Sequence, residues 1–211
     1  MPGDREENTT SCKQCGTCCK KGGPSFHTGD RHLIDDGTIP GSHLFTIRKG
    51  EPAHENIRHR LISAETDIIK IKGKPGRWEC RYYNSRARQC SIYSNRPEEC
   101  RALACWNTRP IEAVLATPHL TRKDLLFGVQ GIWELIEDHQ QRCDYAIILE
   151  LHERINKHRD NTAKRKLREM AAYDRQIRLT LVENSVAPDM MDFLFGRPLS
   201  DTLPPLGIQL Y

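Results

Sequence analysis

Eight of the nine cysteines fall in two groups. Cys12, Cys15, Cys18 and Cys19 lie in the eight-residue run CKQCGTCC, and Cys80, Cys90, Cys100 and Cys105 follow. Thiolates held this close repel one another and oxidise easily, so the chemistry they suit is metal ligation. Redox disulfides and plain structural thiols are the competing readings. Neighbouring bridges would crowd one short loop, which makes the first run poor for intrachain disulfides. All eight are therefore candidate metal ligands.

Eight thiols suffice for two four-thiolate sites, or for one site with thiols to spare. Zinc takes four tetrahedral ligands, and a [4Fe–4S] cluster also takes four cysteines. The segment C-x2-C-x2-C resembles the first three ligands of a bacterial ferredoxin loop, which continues x3-C-P. Here the next cysteine is adjacent and no proline follows, so the chain carries no ferredoxin repeat. The C-x3-C-x2-C triad of radical enzymes that use S-adenosylmethionine is absent too. Because successive side chains diverge, Cys18 and Cys19 are expected to face different metals. The remote cysteines, spaced x9, x9 and x4, need a fold to bring them together.

A tetrathiolate zinc or an oxidised cubane carries about −2 by formal counting. Arg77, Arg81, Arg86, Arg88, Arg96 and Arg101 lie among the second cysteine group and could offset that charge. Ordinary surface placement explains them equally well. Gly16 and Gly22 could bring backbone N–H groups close to sulfur.

The elements that must position these thiols are partly legible. CKQCGTCCKKGG reads as a loop. Residues 26–66 are ambiguous, with Asp30–Ile34 and Glu55–Ala64 as candidate short helices. Asp67–Lys72 reads as a strand before a turn over Gly73–Gly76, and Trp78–Tyr83 with Cys90–Tyr93 as a short hairpin. Asn95-Arg-Pro-Glu98 reads as a helix start, with Asn95 as cap and Glu98 at the reciprocal capping position. That places Cys100 on the first turns, where the helix dipole favours a thiolate, and Cys105 near the end.

Beyond Pro110 and Pro118 the pattern turns helical. Thr121 can cap a helix carrying Leu125, Leu126, Val129, Ile132, Trp133 and Ile136. Cys143, Ile147, Ile148, Leu151 and Ile155 make a second stripe. Leu167, Met170, Ala171, Asp174, Ile177 and Leu181 make a third, interrupted by one acid. Pro188–Phe195 reads as a short helix that stops at Gly196. Such amphipathic helices must pack on something. The expected fold is α+β and mostly α: a loop-rich cysteine region with a short hairpin, then a small helical bundle. The expected divisions are a disordered stretch over 1–11, a metal-binding domain over 12–108, a helical region over 119–195 and a tail over 196–211.

At 211 residues, with 37% hydrophobic and 28% charged residues, the chain can bury a core without staples. No apolar run approaches a membrane span. A net charge of +4 is too mild to argue for nucleic acid. The basic run Lys157–Glu169 reads as a solvated helix face or a linker rather than an RNA-binding segment, since it lacks interleaved aromatics for base stacking. The opening MPGDREENTTSCK has acids and no apolar core, unlike a secretion signal. A cytoplasmic location is expected, and its reducing conditions disfavour disulfides.

CKQCGTCC followed by WECRYYNSRARQCSIYSNRPEECRALAC resembles the YkgJ-type cysteine-cluster family. Its pattern is CxxCGxCC, a later aromatic-flanked cysteine, then C-x-I-Y-x-x-R-P-x-x-C-R. Cys12, Cys15, Gly16, Cys18, Cys19, Cys80, Cys90, Ile92, Tyr93, Arg96, Pro97, Cys100 and Arg101 all fit. The resemblance spans residues 12 to 105 and implies a zinc- or iron-chelating domain. Some members resemble a larger flagellin lysine methylase, and this chain shows no extra domain for that substrate.

Other residues are set aside. Cys143 sits on an apolar stripe and reads as core. His27, His32, His43, His54 and His59 are spread through the loop-rich region; one of them could complete a metal site, but each alone reads as surface or structure. His152-Glu153 lacks the second histidine of a zinc-protease helix, since Asn156 stands there. Trp78, Tyr82, Tyr83, Tyr93 and Trp106 are expected either to shield the centre from water or simply to pack the hairpin. The cofactor expected is an iron–sulfur cluster, [4Fe–4S] in type, with Zn2+ as the alternative. Its role would be redox, serving a redox or protein partner. The alternatives are a structural zinc module acting through protein partners and a cluster-dependent enzyme such as a protein methylase.

Overall fold

The computed structural model describes residues 12, 14–55 and 60–209. The expected disorder over 1–11, and His59, lie outside the described residues. Among those described, helices dominate and the strands form three two-stranded antiparallel sheets. The mostly-α, α+β expectation holds.

Strand β1 (Leu44–Ile47) pairs with β4 (Ile68–Ile71), setting Leu44 opposite Ile71 and Ile47 opposite Ile68. Both strands alternate buried and half-buried residues, as a sheet covered on one face requires. Between them, β2 (Pro52–Glu55) pairs with β3 (Arg60–Ser63). This corrects the helix expected over Glu55–Ala64. Residues 56–59 lie outside the described residues; Leu61 is exposed, and the backbone ladder of β3 with β2 decides the form of Arg60–Ser63. β5 (Tyr83–Asn84) and β6 (Gln89–Cys90) form the expected hairpin, though with only two residues per strand.

Helix α1 (Arg31–Asp35) is followed, after the sheets, by α2 (Glu98–Ala102) and α3 (Arg109–Leu115). The stripe from Leu125 to Ile136 is not one helix. It divides into α4 (Arg122–Leu126) and α5 (Ile132–Arg142), separated by a turn in which Gly131 has φ 81°. Thr121 caps α4 as its sequence suggests: its hydroxyl accepts from Asp124 N–H, and Asp124 accepts from Thr121 N–H at 2.8 Å. α6 (Tyr145–His158) and α7 (Asn161–Glu183) form an antiparallel pair, and α8 (Met191–Phe195) follows. No helix among the described residues is long and apolar enough to cross a membrane.

Two clusters make the core. One joins Phe26, Leu44, Ile69, Ile71, Cys80 and Tyr83 to Ile136 on α5 and Phe193–Phe195 on α8. The cysteine-bearing half is thus packed directly onto the helices. The other joins Cys143, Tyr145, Ile148, Leu167 and Met170 to Leu199, Leu203 and Ile208. The last three belong to the stretch read as a tail, where α9 (Leu199–Thr202) forms. Cys143 sits in the turn after α5 rather than on a helix, wholly buried, and burial pushes its thiol up to about 12.

Buried charge ties the helices to β1 and β4. Arg122 holds Asp67 through two bonds of 2.7 and 2.9 Å and donates to Leu194 O at 2.6 Å. Asp174, the acid interrupting the third stripe, accepts from Arg178 at 2.9 Å and from Leu199 N–H at 2.9 Å. The His139 ring bonds to it at 2.8 Å.

Candidate metal centre

The CKQCGTCC loop is shaped by Gly16, whose φ of 78° few side chains tolerate. Gly16 also packs against the phenol of buried Tyr83, so a Cβ there would occupy the ring's place. Its carbonyl accepts from Lys20 N–H at 2.9 Å, and a short 3-10 turn runs over Cys19–Lys21. Cys19 O then accepts from Cys80 N–H at 2.7 Å, a direct backbone link between the two cysteine groups.

Cys80 is anchored from its other side. Gly73 bridges to it, Arg81 N–H donates to Lys72 O at 3.1 Å, and Lys74 Nζ ties Glu79 to Tyr83 O. The hairpin pairs Tyr83 with Cys90. Cys100 arrives on α2, whose start differs from expectation. Asn95 lies in a 3-10 turn over Tyr93–Asn95 and caps nothing. Pro97 is extended, so the helix begins at Glu98, and Glu98 N–H donates to Asp30 Oδ1 at 2.9 Å. Asp30 is fully buried, and its other oxygen accepts from His27 N–H at 3.1 Å. A carboxylate 68 residues away thus caps the helix that carries Cys100.

The sulfurs converge unequally. Cys18 Sγ and Cys19 Sγ lie 4.0 Å apart, so these neighbours turn together rather than diverge. The hydrogen bond between them lowers the Cys18 thiol to about 6 and raises that of Cys19. Burial raises the Cys100 thiol, and the charges of Cys80, Glu99, Cys90 and Cys18 raise it further. Cys80 is raised by burial and then by Cys90 and Cys18. Cys15 is exposed; its thiol is lowered by a hydrogen bond with Thr17 and feels Cys18. Cys18, Cys19, Cys80, Cys90 and Cys100 therefore share one electrostatic neighbourhood, with Cys15 at its edge. Cys12 and Cys105 are exposed; Cys12 Sγ accepts from Gln14 N–H at 3.4 Å and Cys105 sits in a turn closed by Asn107 N–H.

This donor set suits a cation. Each thiolate raises the cost of the next, and only a metal lets several ionise together. Among the arginines, Arg96 favours the Cys18 thiolate while stacking on the Tyr93 ring at 3.6 Å. Arg101 lies 3.9 Å from both Asp30 and Glu98. The expected aromatic shield does not form as a unit. Tyr83 is buried, but Trp78 is 71% and Trp106 46% exposed.

One cluster was missed in the sequence. His27 Nε2 lies 3.3 Å from Glu99 Oε1, and the His27 and His119 rings stack with centroids 4.7 Å apart. In the sequence His27 stands as a lone histidine. Glu99 was hidden in the helix-start motif, and His119 carried no spacing signal.

The family model CxxCxxCC, described as "Putative zinc- or iron-chelating domain", matches residues 11–117. Neither a curated protein nor a solved structure matches the chain.

Proposed function

The chain belongs to the CxxCxxCC family, whose description makes it a zinc- or iron-chelating domain, and we propose that its cysteines hold an iron–sulfur cluster of the [4Fe–4S] type in a redox protein. The observation that carries this reading is the convergence of thiols from three segments, the CKQCGTCC loop, the Cys80–Cys90 hairpin and α2, on one neighbourhood. Five sulfurs there supply the four thiolates that one cluster takes, with one to spare. Zinc–sulfur bonds of about 2.3 Å put tetrahedral sulfurs about 3.8 Å apart.

Four of Cys18, Cys19, Cys80, Cys90 and Cys100 supply the ligands, with Cys15 next in reach. Such a cluster exchanges one electron with little rearrangement, at a potential set by charge and hydrogen bonds. The chain's own part is to hold the sulfurs on rigid backbone links and to place Arg96 beside Cys18. Its partner is a redox protein in the cytoplasm, and the exposed Trp78 and Trp106 give such a partner aromatic contact beside the cysteines.

A structural zinc module is the second reading, favoured by one distance. The 4.0 Å between Cys18 and Cys19 sulfurs is close to what two thiolates on one zinc ion would show. Anaerobic purification with iron, zinc and sulfide analysis and an absorption spectrum decides between the two. Iron and sulfide in equal amounts with a bleachable visible band support the cluster. Colourless protein holding only zinc overturns it.

A further inference from the structure

We propose that His27, Glu99 and His119 form a separate site for one divalent cation of the zinc class, built from nitrogen and oxygen donors. One ligand atom from each residue lies within 4.8 Å of the other two. Two histidines and a carboxylate are the donor set of zinc sites that keep an open position. The 3.3 Å between His27 Nε2 and Glu99 Oε1 is long for a hydrogen bond. It equals the separation, about 3.3 Å, that zinc bonds of about 2.0–2.1 Å impose on two tetrahedral ligands.

The surroundings orient all three groups. His27 Nδ1 lies 3.2 Å from Thr117 O and 2.9 Å from Thr117 Oγ1. With Nδ1–H donating to that carbonyl, the Nε2 lone pair is left for a metal, the arrangement that outer partners give to metal-bound histidines. Glu99 Oε2 accepts from Ser25 N–H at 2.8 Å, which leaves Oε1 facing the histidines. Backbone bridging sets His27 beside His119, and Leu120 N–H donates to Phe26 O at 2.9 Å. His27 is fully buried while Glu99 and His119 are half-buried, so the site has a dry floor and a reachable rim.

Lys70 is the charge that opposes a cation here. Its ammonium donates to Ser25 Oγ at 3.0 Å, and its charge also acts on the Glu99 carboxylate. A histidine–carboxylate hydrogen bond with stacked rings is the metal-free account of the same atoms. The proposal does not depend on which metal the cysteines take.

Cobalt(II) is the probe, added to the full chain as purified, with its cysteine centre loaded. The wild-type protein is expected to take up one more equivalent than His119→Gln or Glu99→Gln, with ligand-field bands and no thiolate-to-cobalt charge transfer in that increment. Equal uptake by wild type and variants overturns the proposal, as does an increment carrying thiolate charge transfer, which would assign it to cysteine. Wild-type crystals soaked in zinc cover the case of a variant that misfolds. An anomalous peak within bonding distance of His27 and Glu99 supports the site, and its absence there overturns it. Loss of the cysteine centre would show in the charge-transfer region alone, so the two readings fail separately.

Discussion

The backbone N–H of Cys80 donates to the carbonyl of Cys19 at 2.7 Å. This bond closes a loop of some sixty residues and fixes the first cysteine group against the second. Each segment can then offer sulfur to a shared metal without first paying for a long-range encounter.

Replacing Cys100 or Cys80 by Ser should remove most bound metal and lower the melting temperature. Cys143→Ala should keep the metal, because that thiol is buried between α5 and α7 and bonds Met170 O at 3.6 Å. It should still cost about 1 kcal/mol from the lost packing. Metal per chain, measured by elemental analysis, checks both; full metal in Cys100→Ser would exclude Cys100 as a ligand.

Gly16→Ala should destabilise by about 1–3 kcal/mol, since the new methyl meets the Tyr83 ring and φ stays positive. Metal affinity should fall with it. Denaturant unfolding and a metal competition titration test this, and wild-type values in both would show that the loop does not need the glycine.

Asp30→Ala should unfasten α2 by removing the acceptor for Glu98 N–H and, at the same time, for His27 N–H. Loss of a helix cap costs roughly 1–2 kcal/mol. Because Cys100 rides on that helix, metal should dissociate faster from the variant in a chelator assay, whereas Asp36→Ala, on an exposed turn, should not differ from wild type.

Acid should destabilise the helical half through His139 and Asp174. Burial lowers the His139 pKa from its usual 6.5 to about 4, and the bond to Asp174 only partly offsets this. The folded protein thus binds fewer protons than the unfolded chain between those values. The stability from this group is full above pH 6.5 and is lost as pH falls toward 4, on the order of 3 kcal/mol in all. Asp174 is opposed by burial, yet its bond to His139 and the Arg178 charge hold it below the usual carboxylate range, so its contribution goes at still lower pH. Melting temperature against pH should fall through this window for wild type and less steeply for His139→Gln.

Stripping the metal should lower stability and leave the Cys18–Cys19 pair prone to oxidation, since their sulfurs lie 4.0 Å apart and the Cys18 thiol is lowered. Chelation followed by calorimetry and a thiol count in air measures both effects. An unchanged melting temperature would mean that the metal does not help hold the fold.

What the sequence determined by itself is local. The cysteine spacing pointed to metal ligation, the 3.6-residue stripes located the long helices, and Thr121 with Asp124 marked a helix start, because each signal lies within a few residues. Tertiary structure decided everything that joins distant segments. It broke one apolar stripe into α4 and α5 at Gly131, made Asp30 rather than Asn95 the cap of α2, and placed Glu55 and Arg60–Ser63 in strands. It also set Glu99 beside His27 and His119. These outcomes depend on which buried donors and acceptors the closed chain leaves to be paired, and spacing along one segment carries no record of that.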